Sequence, residues 1–147
     1  VGGLGGQLAH TVEHIVDFLQ GYYGPGWRMV YDCLKLAEKR LDEYTEGTDY
    51  VMTCFCLDAY YGMSLEDGEN LRKAWEEAYA LAEDEEQREH FRKFYTCLVA
   101  LKWGTNYYNA LFDPSYNEAR DAAFEELKAY AIKEGIVHKS SKCFWEI

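Results

Sequence analysis

The chain has 147 residues, 48% hydrophobic and 28% charged, and a formal net charge of −11 from 26 acidic against 15 basic residues, a composition that fits one globular domain. An acidic balance without a Lys/Arg stripe repels phosphate backbones, releases no counterions and argues against nucleic acid as a partner. No apolar run approaches the roughly 20 residues of a membrane-spanning helix, and five cysteines are too few and too odd in number for a disulfide scaffold, so free, buried thiols are expected.

The start, Val1-Gly2-Gly3-Leu4-Gly5-Gly6, lacks both the preceding strand and the spacing of a phosphate-cradling glycine loop, so residues 1–6 read as a linker and 7–147 as one helical domain. From Gln7 to Gln20 the residues Leu8, Val12, Ile15 and Leu19 recur at helical spacing, with His10, His14 and Asp17 on the opposite stripe. This first helix is expected to stop at Gly21 or at the turn Gly24-Pro25-Gly26. Pro25 suits the first turn of a second helix, whose inward stripe is Val30, Cys33, Ala37, Leu41 and Tyr44, with Gly47 as terminator.

Residues 49–61 are apolar and aromatic without a clean period, which leaves a buried helix and an extended segment undistinguished; the reading leans to a short extended connection. Ser64 and Asp67 have the spacing of a capping box, and Leu71, Trp75, Ala78 and Ala82 continue a third helical stripe. A fourth helix opens on Asp84-Glu85-Glu86, acidic residues suited to a positive helix end, and carries Phe91, Phe94, Leu98 and Leu101 to about Trp103. Gly104-Thr105-Asn106 is expected to break or kink it. Beyond Asp113-Pro114 a last helix runs to Glu134 with Ala123, Leu127 and Tyr130 inward and Gly135 as its left-handed cap. The tail is read as an extended segment docking through Val137, Phe144 and Trp145. These elements predict an all-α fold class, a helical bundle or helical-hairpin array of about five helices.

Chemistry-bearing patterns are sparse. His10-Thr11-Val12-Glu13-His14 has the H-x-x-E-H spacing that puts two imidazoles one helical turn apart with a carboxylate between them. Three fixed residues arise often by chance, and the same stripe is simply the polar face of the first helix; His10, Glu13 and His14 are therefore weak metal candidates. No cofactor is implied. Cys54-Phe55-Cys56 is C-x-C and no second pair completes a zinc site. There is no G-x-S-x-G elbow, and Glu76-Glu77 and Glu125-Glu126 read as solvated faces rather than an acid–base pair. Aromatic residues are plentiful, at 16% with 13 Tyr and 4 Trp. The groups Tyr22-Tyr23 with Trp27, and Trp103 with Tyr107-Tyr108, lie at helix ends, where rings either close the bundle or offer flat faces to a sugar.

The phrase Val16-Asp17-Phe18-Leu19-Gln20-Gly21-Tyr22-Tyr23-Gly24-Pro25, leading into Met29-Val30-Tyr31-Asp32-Cys33-Leu34, resembles a family of uncharacterised bacterial glycoside-hydrolase-like proteins. Leu71 to Ala82 and Phe124 to Ile136 are similar to two further helices of that family; the Gly-rich start departs from it. The resemblance implies a sugar-hydrolase-type barrel, distantly similar to those of hexosaminidases and α-glucuronidases, followed by a helical domain of this kind. The hydrolytic carboxylates would then belong to the barrel, and no catalytic residue carries over onto this chain. The resemblance thus implies a non-catalytic accessory domain within a larger protein. Its partners would be the preceding barrel and carbohydrate, and Tyr22, Tyr23 and Trp27 would face the sugar or the barrel. The rival readings are a free-standing protein–protein interaction module and, behind it, a metal-dependent hydrolase built on the H-x-x-E-H helix. Substrate, oligomeric state and compartment, whether cytoplasmic or secreted, stay open at this level.

Overall fold

The computed structural model describes residues 4–46 and 62–136. They form an all-α bundle of five α-helices: α1 (Leu4–Tyr23), α2 (Trp27–Thr45), α3 (Leu65–Ala80), α4 (Glu85–Ala110) and α5 (Asn117–Lys133). Short 3-10 turns, Gly24–Gly26 and Pro114–Tyr116, precede α2 and α5. No strand occurs among the described residues. The extended reading of 49–61, the terminator Gly47 and the docking tail through Val137, Phe144 and Trp145 lie outside them. α1 starts at Leu4, inside the stretch read as a linker, and runs through Gly21 to Tyr23.

α4 is the spine, packing against α1, α3 and α5, while α2 bridges α1 and α3. The core on one side of it gathers Leu19, Met29, Val30, Leu71, Ala78, Phe91, Leu98 and Leu101. On the other side Ala123, Leu127 and Ala131 of α5 are buried at four-residue spacing, as a helix face requires. The small side chains at two of these positions allow α5 a close approach to α4.

Helix ends obey the chemistry of their sequences. Ser64 Oγ accepts from the Asp67 amide at 2.9 Å and the Asp67 carboxylate accepts from the Ser64 amide at 3.1 Å, a complete capping box. Asp84 caps α4 through the Gln87 amide at 2.8 Å. At the end of α5, Gly135 takes φ +68° while the amides of Gly135 and Ile136 bond back to the carbonyls of Ile132 and Ala131. That is the Schellman pattern, in which glycine enters the left-handed region without a Cβ clash.

Two expectations are corrected. The break at Gly104-Thr105-Asn106 does not occur, and α4 continues to Ala110. All three residues are buried, and their side-chain donors are absorbed within the helix: Thr105 Oγ1 donates to the carbonyls of Leu101 and Lys102, and Asn106 Nδ2 to that of Lys102. Burial against neighbouring helices outweighs weak helix propensity, which amounts to at most about 1 kcal/mol per residue. Second, the thiols are less buried than expected. Cys33 is half-buried and Cys97 exposed; Cys54, Cys56 and Cys143 lie outside the described residues.

Candidate functional site

The three aromatic residues singled out at the α1–α2 junction separate into different environments. Tyr23 packs into the core against Phe91, ring centroids 5.0 Å apart, and Phe94 at 6.2 Å. Burial, with a contribution from neighbouring Tyr22, pushes its phenol up to about 12. Trp27 is half-buried against the core and tilts over Tyr31, with the Arg28 guanidinium 5.7 Å from its ring centroid. Tyr22 joins a surface arrangement, which Tyr23 meets edge-on, at 4.9 Å from Tyr22 and 6.3 Å from His90.

That arrangement is a stack of three rings. Tyr22 lies flat on the His90 ring, with centroids 3.4 Å apart and planes 4° from parallel. On the same α1 face Phe18 stacks on Tyr22 at 5.2 Å and 19°, because residues four apart on a helix lie one above the other. His90 is fixed from behind: its Nδ1 is 2.7 Å from the Tyr22 carbonyl oxygen, and since a carbonyl can only accept, Nδ1 carries the proton and donates. Phe18 is 62% exposed. The stack forms one wall of a shallow cleft between the end of α1 and the start of α4, which Asp17, Asp84, Glu86 and Gln87 also line. Chemically the cleft offers a flat apolar surface ringed by hydrogen-bond acceptors.

Neither Phe18 nor His90 stands out from the sequence. Phe18 is detectable in principle, sitting one turn before Tyr22. His90 lies 68 residues from its partner, and nothing local announces that meeting.

The second aromatic group behaves as packing. Trp103 tilts against Tyr107 at 5.6 Å and Phe124 at 6.0 Å, joining α4 to α5. Its neighbour Tyr108 meets Phe112 edge-on at 5.4 Å.

On the first turns of α1 the H-x-x-E-H residues do converge. His10 Nε2 and His14 Nε2 are 3.0 Å apart, and His10 Nδ1 lies 3.9 Å from a Glu13 carboxylate oxygen. The set is open to solvent, with the His10 and Glu13 side chains 70% and 77% exposed. Among the described residues no group of three or more His, Cys, Asp or Glu side chains is arranged to hold a metal ion. The two imidazoles lie within hydrogen-bond distance of each other on this exposed face of the helix.

One of the carboxylates read as solvated is not. Glu126 is half-buried and clamped between Arg72 Nη2 at 3.1 Å and Lys102 Nζ at 2.7 Å, whereas Glu76, Glu77 and Glu125 are not held in this way. No helix of the described residues is long and apolar enough to cross a membrane. No protein-family model, curated protein or solved structure matches this chain.

Proposed function

We propose that this chain is a non-catalytic accessory helical module of a carbohydrate-active, glycoside-hydrolase-like protein, positioned beside a preceding barrel and presenting a surface to sugar. The observation that carries the reading is the Phe18–Tyr22–His90 stack with its acidic rim. A pyranose ring has an apolar C–H face that lies against an aromatic plane and equatorial hydroxyls that need acceptors at the edge. The exposed Phe18 ring supplies the first, and Asp17, Asp84 and Glu86 supply the second. Stacking on His90 fixes Tyr22 before any ligand arrives, so little side-chain freedom is lost on binding.

The test is titration of the chain with cello-, xylo- and chito-oligosaccharides, monitored by NMR. The expected result is millimolar binding to at least one series, weakened tenfold or more by Phe18→Ala and by Tyr22→Ala, with no glycoside hydrolysis by the chain itself. Absence of binding to all three, indifference to Phe18→Ala, or hydrolysis at an enzyme-like rate would overturn the reading.

A second reading, a protein–protein interaction module, has its own support. Val12, Ile15 and Phe18 are 37%, 40% and 62% exposed on one helix, and apolar side chains grouped in this way mark contact surfaces. Self-association in sedimentation velocity, insensitive to sugar and lost in Ile15→Ser, would favour it over the first.

A further inference from the structure

A different part of the molecule carries a second site. α3 and α4 enclose a cleft of about 250 Å³, lined on one side by Leu65, Gly68, Glu69 and Arg72 and on the other by Leu98, Lys102, Thr105 and Asn106. We propose that it binds a small hydroxycarboxylate. The inference is independent of the ring stack between α1 and α4.

Two cations stand at the wall of the cleft. Arg72 donates through Nε and Nη2 to the Tyr95 hydroxyl, and through Nη2 to Glu126. Its Nη1 takes no partner among the described residues. Lys102 gives one ammonium proton to Glu126 at 2.7 Å, and an ammonium has three. Glu126, approaching from α5, thus holds both cations in place without exhausting their donors. A ligand carboxylate is the acceptor that matches such paired, pre-oriented donors.

The remaining wall selects what else the ligand carries. Asn106 is 4% exposed; its Nδ2 is used on the Lys102 carbonyl, and its Oδ1 accepts no hydrogen bond among the described residues. An amide oxygen on a cleft wall, with its own amide nitrogen used elsewhere, accepts a ligand hydroxyl as readily as it accepts water. Glu69 adds a second acceptor on the facing helix, and Leu65 and Leu98 supply apolar contact for a short carbon chain.

Gly68 keeps the space open. It sits inside α3, where glycine costs about 1 kcal/mol relative to alanine, yet a Cβ there would meet nothing nearer than Leu101 Cδ2 at 4.0 Å. Packing therefore does not require glycine at this position. What the missing side chain leaves is the cleft itself.

The experiment is an NMR titration of the chain with sodium D-gluconate, with D-glucose and sodium acetate as controls for the missing carboxylate and the missing hydroxyls. The expected outcome is saturable shifts of α3 and α4 amides with gluconate, and binding at least tenfold weaker for either control. Lys102→Met should weaken gluconate at least tenfold, and Gly68→Leu, which fills the cleft and leaves every charge in place, should abolish binding. Thermal unfolding checks that each variant folds; should Lys102→Met fail, Gly68→Leu and Asn106→Ala decide. Phe18→Ala should leave gluconate binding unchanged, so the two sites succeed or fail separately. Unsaturable shifts, equal binding of glucose or acetate, or retained binding in folded Gly68→Leu would each overturn the proposal.

Discussion

Asp67 shows how much one side chain holds and how much of that is visible beforehand. Its spacing from Ser64 announces the capping box. Its second role is not announced: Arg40 of α2, 27 residues away, donates Nε and Nη2 to the two carboxylate oxygens at 2.9 and 3.1 Å. The geometry is bidentate, and Asp67 is 8% exposed. Ser64→Ala removes only the cap and should destabilise the protein by about 1 kcal/mol. Asp67→Ala removes the cap's return bond and leaves Arg40 with Glu43 alone, so its cost in urea unfolding should exceed that of Ser64→Ala. A cost equal to or below it would mean that the α2–α3 ion pair adds nothing. The pair also sets a pH dependence. Hydrogen bonding to Arg40 lowers the Asp67 carboxyl below its ordinary value, against the opposing effect of burial. A carboxyl depressed in the folded state contributes stability above its unfolded value, near 4. That contribution is lost as pH falls from there through the folded value. The difference in stability between the protein and Asp67→Ala should therefore shrink below about pH 4 and be flat from about pH 5 to 8.

At the scale of elements, the sequence is informative wherever the signal is local. The capping box, the Gly135 terminator, the acidic starts of α3 and α4 and the apolar stripes of α3 and α5 all depend on residues within a few positions of one another. The unbroken helix at Gly104-Thr105-Asn106 and the Arg40–Asp67 pair escape a sequence reading for one shared reason: both depend on which helices meet. The Gly24–Gly26 turn combines the two kinds of information. Gly24 takes φ +71°, a local requirement that the Gly-Pro-Gly sequence displays. Gly26 is required for a tertiary reason. A Cβ on it would lie 2.6 Å from the Ala78 carbonyl oxygen and 2.9 Å from Phe91 Cζ, so α3 and α4 close over this turn at a distance that only glycine permits. Gly26→Ala must push backbone atoms apart and should lower stability by about 1–3 kcal/mol. Gly21→Ala, whose Cβ would meet nothing within 4 Å, should be neutral or slightly stabilising on α1. Thermal unfolding of the two variants side by side checks this; equal effects would contradict the close approach at Gly26.

Across the whole molecule, the separation between what folds the bundle and what its surface offers can be tested with two phenylalanines. Phe91 is 0% exposed at the centre of the core, contacts Tyr23 and presents its carbonyl to Trp75 Nε1 at 2.8 Å. Phe18 is 62% exposed and touches the bundle mainly through the face of Tyr22. The apolar stripe of α1 does not reveal this. It includes Val12, Ile15 and Leu19 at one spacing, of which only Leu19 is buried, while Phe18 falls between stripes. Periodicity marks a helix and ranks its faces, but the depth of each face depends on where the neighbouring helices end. Phe91→Ala should cost about 3–5 kcal/mol, enough to threaten folding at physiological temperature given marginal native stability. Phe18→Ala should change stability by no more than about 0.5 kcal/mol. On the reading proposed above, this exposed ring, stacked on Tyr22 and through it on His90, is the group that meets the ligand or partner. If Phe18→Ala instead unfolds cooperatively with a loss of several kcal/mol, the ring belongs to the core and the stack is packing. If stability is unchanged while oligosaccharide binding or self-association disappears, the end of α1 is the working surface of the domain.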